Sequence, residues 1–323
     1  MPPATFCHKA SARRVAGDRM HFIAVLNRDG GTLRTTDLDS FGARMRDVLE
    51  KAGHILDIHI VEGSGLETAL TEAAAEEEAD IVIIGGGDGS VSAAAAILEN
   101  SDKALAILPA GTMNLFARSL RIPLGLDAAV QAFAAGRIRQ VDMASANGRP
   151  FVHQFSLGMH AKMVGLRDRM EFGSRLGKIR ASITAAYHTM MRPPSMQVSL
   201  RMNQTEMLTK TTGLGITNNL FGEGYRLPYA ADPAGGTLGV YITVARERLN
   251  IIRLFVNMLR GRWRENDQVE IHEASEVTVT VLTARSKSEC VIDGELMPLS
   301  RETVVRIHPK SLRVLVPAEV DGS

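Results

Sequence analysis

Ile83-Ile84-Gly85-Gly86-Gly87-Asp88-Gly89-Ser90 joins an apolar run to four glycines, one carboxylate and a small hydroxyl residue. Ile81 to Ile84 reads as a buried strand, and Val91 to Leu98 as an alanine-rich helix. A strand that ends in consecutive glycines can turn sharply and present bare backbone N–H groups, because glycine has no Cβ to block close approach. The helix that follows adds its N-terminal dipole. The run therefore predicts a phosphate-cradling turn. Asp88 is placed to hold a magnesium-bound water or to orient a phosphate, and Ser90 to cap the helix. Glycines serving turn geometry alone are the competing reading. No Gly-Lys-Ser/Thr follows, so the turn is not of the Walker type.

Working outward, apolar strands alternate with helices. Strands are predicted at His21 to Leu26, Ile55 to Val61 and Ala104 to Leu108, with another strand-like segment at Ile138 to Met143. Helices are predicted at Phe41 to Ala52, Leu66 to Glu78 and Leu126 to Ala135. That alternation argues for a parallel α/β sheet. After about Arg149 strands dominate: Val152 to Leu157, Met196 to Met202, Thr209 to Thr217, Leu238 to Val244, Val277 to Leu282, Glu289 to Ile292 and Val304 to Ile307. Two helices interrupt them, Ser174 to Met191 and Asn250 to Arg260. This half is predicted to be mainly antiparallel. A last strand, Leu312 to Val316, fits either half, and no internal repeat or low-complexity linker separates the two.

The 323 residues exceed one typical core, which supports two domains. A composition of 45% hydrophobic and 23% charged residues is that of a globular protein. The net charge of +1 gives no global field toward nucleic acid, so none is expected as a partner. Two cysteines, Cys7 and Cys290, make neither a disulfide framework nor a zinc site, and a reducing cytoplasm fits. No apolar run reaches the roughly 20 residues that span a bilayer. Residues 1–19 do not read as a signal peptide and are expected to form a loose arm.

A second constellation, Leu108-Pro109-Ala110-Gly111-Thr112-Met113-Asn114-Leu115-Phe116-Ala117-Arg118, again follows a strand. Gly111 and Thr112 offer backbone and hydroxyl contacts, and Asn114 an amide for a nucleobase or ribose. Alone, it could be a helix start capped by Thr112 or Asn114. Beside the first turn, it forms one crevice at the strand ends, where open α/β sheets bind ligands.

With these pieces in place, the chain resembles the diacylglycerol kinase catalytic-domain family, which includes bacterial lipid kinases, sphingosine kinases and ceramide kinases. The resemblance rests on Gly86 to Ser90, Gly111 to Arg118, Val141-Asp142-Met143, Phe155 to Gly158, Ile292-Asp293-Gly294-Glu295 and the closing Leu312 to Pro317. It implies an N-terminal α/β domain (20–148) similar to NAD kinase and phosphofructokinase. It also implies a C-terminal β-sandwich (149–309) and a final strand (310–317) returning to the first domain. ATP would lie in the cleft, with Asn27, Gly86, Gly87, Asp88, Gly89, Ser90, Gly111, Thr112 and Asn114 as nucleotide contacts and magnesium riding on the phosphates. Asp293-Gly294-Glu295 matches the element carrying the catalytic base. Glu295 is favoured as the proton acceptor, with Asp293 helping magnesium or orienting the hydroxyl. The acceptor would be a lipid at the membrane surface, met by a cytoplasmic, peripheral protein, with a homodimer left open. A soluble small-molecule kinase and a non-catalytic binding regulator are the alternatives.

Two places depart from the family pattern. The opening loop usually reads Asn-Pro-x-(Ser/Ala)-Gly; here Arg28 follows Asn27, so the loop could be mobile or Arg28 could touch phosphate. The loop before Leu238 usually carries Asp-Gly, and in some bacterial members its aspartate helps hold a structural metal. Gly235 stands there, leaving Asp232 as the substitute ligand. Elsewhere, the helix opening at Arg175 to Arg180, and Trp263 among Arg260, Arg262 and Arg264, suit an anionic membrane surface or a solvated charged face. His160 could face the acceptor, or be a satisfied structural histidine.

Overall fold

A computed structural model describes residues 19–170, 175–225, 227–245, 247–262, 266–283 and 288–318. The chain runs β1 (His21–Asn27), α1 (Leu38–Lys51), β2 (Ile55–Val61), α2 (Leu66–Ala75), β3 (Ile81–Gly86), α3 (Asp88–Leu98), β4 (Ala104–Pro109), α4 (Leu115–Ser119), α5 (Leu126–Ala134) and β5 (Arg137–Ala146). The second half holds β6 (Arg149–Phe151), β7 (Gln154–Gly158), α6 (Met159–Asp168), α7 (Arg175–Met191), β8 (Met196–Met202), β9 (Thr205–Thr211), β10 (Gly213–Asn218) and β11 (Leu238–Thr243). It closes with α8 (Arg248–Leu259), β12 (Val269–Ala274), β13 (Glu276–Val281), β14 (Glu289–Ile292), β15 (Glu295–Pro298) and β16 (Glu302–Val316).

One sheet runs β2-β1-β3-β4-β16-β13-β8-β9, parallel from β2 to the β4–β16 junction and antiparallel beyond. Every residue of β3 and β4 is buried, as both-faced coverage by helices requires. α3 turns Val91, Ala94, Ala95 and Leu98 inward, and its alanines let the helix lie close on the sheet. Opposite, α1 buries Leu38, Phe41, Met45 and Leu49, and starts where the Asp37 side chain accepts the Ser40 N–H. α2 stops at Ala75 rather than Glu78. The buried Lys103 ammonium takes the carbonyls of Glu76 and Ala79, which ends the helical ladder.

The second sheet, β12-β11-β10-β7-β14-β15, is wholly antiparallel. It packs against β16, β13 and β8 of the first sheet over Phe155, Leu157, Leu200, Ile216, Val240 and Val279, which alternate inward along their strands. The α/β plus β-sandwich architecture is thus observed. One long strand crosses between its two cores. The strand expected at 310–317 is the second half of one long strand, β16, bulged between His308 and Leu312. Val305 and Ile307 belong to the sandwich core, while Leu312, Val314 and Leu315 belong to the α/β core.

Two strand predictions are corrected. The strand expected from Val152 starts at Gln154, because the N–H groups of Val152 and His153 turn to the Asp293 carboxylate. Thr209 to Thr217 splits into β9 and β10, which lie in different sheets. The Thr211 and Thr212 hydroxyls hold that corner on Thr243 O and Ala245 O.

Candidate functional site

The strand order puts a switch point between β1 and β3, since the chain leaves β1 to one side for β2 and returns on the other side as β3. Three loops gather at the C-terminal ends of β1, β3 and β4, and they touch through backbone. A Cβ on Gly31 (φ +41) would stand 1.9 Å from Ala110 O, and one on Gly111 would stand 2.9 Å from Gly87 Cα. Only glycine permits that approach. Thr32 N–H donates to Ala110 O (2.8 Å), tying the first loop to the third. Arg28 does not loosen the first loop: its N–H, which proline would lack, donates to Val61 O at 2.9 Å.

The side chains brace this cradle from within. Asn27 Oδ1 accepts the Asp29 N–H (3.0 Å), and its Nδ2 reaches Ser90 Oγ at 3.5 Å. Asp88 accepts the N–H of Asn114 (3.0 Å) and of Leu115 (2.7 Å), bridging the second and third loops. Asn114, itself left-handed (φ 50), turns its amide onto Gly111 O (3.0 Å) and Pro109 O (3.3 Å). It therefore organises its own loop rather than offering that amide to a base or ribose. Ser90 lies inside the first turn of α3, whose N-cap is Gly87, so the predicted Ser90 cap is corrected. Gly89 and Thr112 remain exposed at the mouth. The first N–H groups of α3 have no intrahelical acceptor and point out of the turn.

From the second domain, the β14–β15 hairpin delivers Asp293 (φ 46) at its tip. Its carboxylate accepts three successive N–H groups, Val152, His153 and Gln154, each at 2.9 Å, and the Ser92 hydroxyl of α3 at 2.6 Å. At 1.5 Å rise per residue, Ser92 lies about 6 Å along the helix from Asp88. Burial raises the Asp293 pKa above the ordinary 3.8, outweighing the four hydrogen bonds that favour the ionised form. Glu295 does not share this place. It starts β15 and pairs with Arg149 (2.6 Å), both side chains largely solvated. Of the two carboxylates expected at the site, Asp293 is the one that reaches the first domain, and Glu295 stays at the surface.

Sequence reasoning missed the rest of the cleft wall. His153 stacks on Phe221 (5.7 Å), which stacks on Tyr241 (4.9 Å). His153, Phe116, Asn218 and Tyr229 line a cavity of about 10 Å³, room for one water at most. His160 Nδ1 meets Ser156 Oγ at 2.6 Å and Gln154 Nε2 at 3.2 Å, so it has local partners of its own. A histidine at position 153 of an alternating strand carries no signal that it faces a cleft.

Family models match along most of the chain. Residues 21–146 match the diacylglycerol kinase catalytic domain, and residues 155–316 the YegS C-terminal NAD kinase beta sandwich-like domain. The chain belongs to the diacylglycerol kinase catalytic-domain family. A Salmonella gallinarum protein named "Probable lipid kinase YegS" is 28% identical over 67% of this chain and 70% of its own length. A Synechocystis relative, uncharacterized protein sll0036, is 28% identical over 71% of this chain, and the match covers 53% of that protein. A Yersinia enterocolitica "Probable lipid kinase YegS-like" protein is 35% identical over 31% of this chain and 33% of its own length. Two Bacillus anthracis str. Sterne crystal structures share the fold. One, of a diacylglycerol kinase, has TM-score 0.68 at 17% identity, covering 92% of this chain and 97% of that one. The other has TM-score 0.73 at 18% identity, covering 95% and 97%.

This diacylglycerol kinase family member rebuilds the loop where the resemblance implies a metal-holding aspartate. The fully buried Asp142 accepts the N–H of Gly236 (2.7 Å) and Lys310 (2.8 Å) and the Asn219 amide (3.1 Å). A side chain at Gly235 would stand 2.9 Å from Asn219 Oδ1. Asp232 is spent on Arg139 (2.7 Å) and the Ala234 N–H (3.1 Å), mostly in solvent. Asp232 as a substitute metal ligand is thereby corrected. Among the described residues, no three or more His, Cys, Asp or Glu side chains form a metal-holding group.

The two cleft histidines make stability sensitive to pH. Burial pushes His153 and His160 from the ordinary 6.5 down to about 4, with Asp88 opposing this at His153, and His153 and Arg167 adding to it at His160. Unfolding returns both to ordinary values, so between these pH values the unfolded chain binds protons that the fold excludes. Stability is therefore full above about pH 6.5 and falls as pH drops toward 4, by a few kcal/mol at about 1.4 per pKa unit. Urea melts at pH 7 and pH 5 are expected to show the drop, and His160→Gln to reduce it; equal midpoints at both pH values would contradict it.

Proposed function

We propose that the protein transfers the γ-phosphoryl group of ATP to the hydroxyl of a membrane lipid, with Asp293 as general base. The observation that carries this reading is the Asp293 carboxylate, brought from the second domain onto Ser92, one turn along α3 from the three-loop cradle. The cradle's backbone N–H groups suit phosphate oxygens. A hydroxyl aimed at the γ-phosphorus must lose its proton, and a carboxylate with a raised pKa takes a proton more readily than a solvated one. Three backbone N–H groups fix Asp293 in place; the Ser92 hydroxyl is the one movable partner, and the acceptor hydroxyl would take its position.

Magnesium fits this site through Asp88. Two of the carboxylate's roughly four lone-pair positions hold the third loop, and the others are free to accept from the metal's water shell. When bound, the ion would neutralise charge on the phosphates. The protein's own contribution is positioning, N–H donors and one base.

The experiment is incubation with ATP and magnesium over mixed micelles carrying diacylglycerol, ceramide, a sphingoid base or phosphatidylglycerol. A phosphorylated lipid is the expected product. Transfer only to a water-soluble acceptor would favour a small-molecule kinase instead, and nucleotide binding without transfer a regulator.

A further inference from the structure

α7 and α8 each leave a stripe of large apolar side chains in solvent. Ile183 and Tyr187 of α7 are 65% and 55% exposed, and Leu249, Ile252 and Val256 of α8 are 77%, 41% and 38% exposed. The spacings, i, i+4 on α7 and i, i+3, i+7 on α8, place each set on one helix face. The opposite face of α8, Ile251, Leu254, Phe255 and Met258, joins Met190 of α7 in one apolar cluster, and the opposite face of α7 buries Ala181, Ala185 and Thr189. Each stripe therefore lies opposite its own helix's buried face. These two helices hold five of the eleven exposed large hydrophobic side chains among the described residues, too concentrated to be scatter.

The same helices are basic. α7 contains Arg175, Lys178 and Arg180, α8 contains Arg248 and Arg253, and neither contains Asp or Glu. A chain with net charge +1 thus concentrates positive charge here. Arg180, Arg253 and Arg260 are exposed. The nearest acidic partner of Arg253, Asp267, stands 4.0 Å away with both side chains mostly in solvent, a weak pairing. Glu247 is also exposed, at the N-cap of α8. No helix of the described residues is long and apolar enough to cross a membrane. The expected Trp263 anchor lies outside the described residues.

We propose that the α7–α8 face docks on an anionic phospholipid bilayer, apolar stripes in the interface and arginines on the headgroups. This rests on the lipid-acceptor reading only in taking the substrate to reside in a bilayer. Apolar residues flanked by cations on a helix lying in the surface plane are the pattern that interfacial binding uses, and each basic residue gains further from an anionic leaflet. A second copy is disfavoured as the occupant, because a two-fold contact would set this basic patch against itself.

The test uses the full chain, without ATP, and phosphatidylcholine vesicles with or without phosphatidylglycerol. Co-sedimentation is expected only with the anionic vesicles, weakening as salt rises. Leu249→Glu with Ile252→Glu should lower vesicle affinity about tenfold or more. Arg180→Glu with Arg253→Glu should lower it similarly on anionic vesicles. Unchanged melting and ATP affinity would show that these variants are folded; if the glutamates perturb folding, Leu249→Ser alone carries the test. Wild-type protein that fails to bind anionic vesicles would overturn the proposal. So would unaltered binding by the apolar variants, or a concentration-dependent dimer that those variants abolish. Transfer to micelle-dispersed lipid is scored separately, so failure of docking and failure of the kinase reading look different.

Discussion

Replacing Asp293 by asparagine is expected to lower phosphoryl transfer about 10²–10⁴-fold while nucleotide binding survives. The amide has no lone pair available to take the acceptor's proton. Its carbonyl oxygen can still receive His153 and Gln154, but its NH₂ faces the Val152 N–H, so about 1–3 kcal/mol of stability goes with it. A thermal melt measures that loss, and calorimetry with ATP shows whether the cradle persists. The companion is Glu295→Gln. Its carboxylate meets only Arg149 in the described contacts, at the surface, so transfer should stay within about threefold of wild type. If Glu295→Gln abolishes transfer and Asp293→Asn does not, the assignment is inverted. Since burial raises the Asp293 pKa, wild-type transfer should fall on acidification at a pH above that of an ordinary carboxylate.

Asp88→Ala is expected to damage both the cradle and the fold. The carboxylate is the side chain that joins the second loop to the third, through the Asn114 and Leu115 N–H groups. Hydrogen bonds to a charged group contribute about 1.5–3 kcal/mol each, so a loss of about 2–4 kcal/mol is expected after partial rehydration. Nucleotide affinity should fall with it, because the glycine backbones are held at contact distance by this bridge. Asp88→Asn keeps one acceptor and should fall between the two. An alanine variant that melts with wild type and binds ATP equally well would show that the bridge does not organise the loops.

The α/β half was largely legible because its signals are local. Continuous apolar runs gave β1, β3 and β4, and glycines marked the turns that the sheet brings together. The misses came from side chains distant in sequence that take over backbone groups. Lys103 ends α2 from 24 and 27 residues away. Asp293 keeps Val152 out of the strand from 141 residues away. No periodicity reports such contacts. Which of two neighbouring carboxylates faces α3 was not legible for a related reason. Asp293 and Glu295 are two residues apart, and the sequence does not say which one the hairpin tip turns toward α3. Positive φ at Asp293 and Gly294 turns Asp293 toward the first domain and leaves Glu295 on the outer ladder opposite Ile292.

The most direct test of the account is to follow γ-³²P from ATP into organic-extractable lipid, with wild type, Asp293→Asn and Glu295→Gln assayed side by side on the same micelles. Label in lipid is expected with wild type and Glu295→Gln and not with Asp293→Asn, at equal ATP occupancy. Equal labelling by Asp293→Asn and wild type would contradict the carboxylate at the centre of this site.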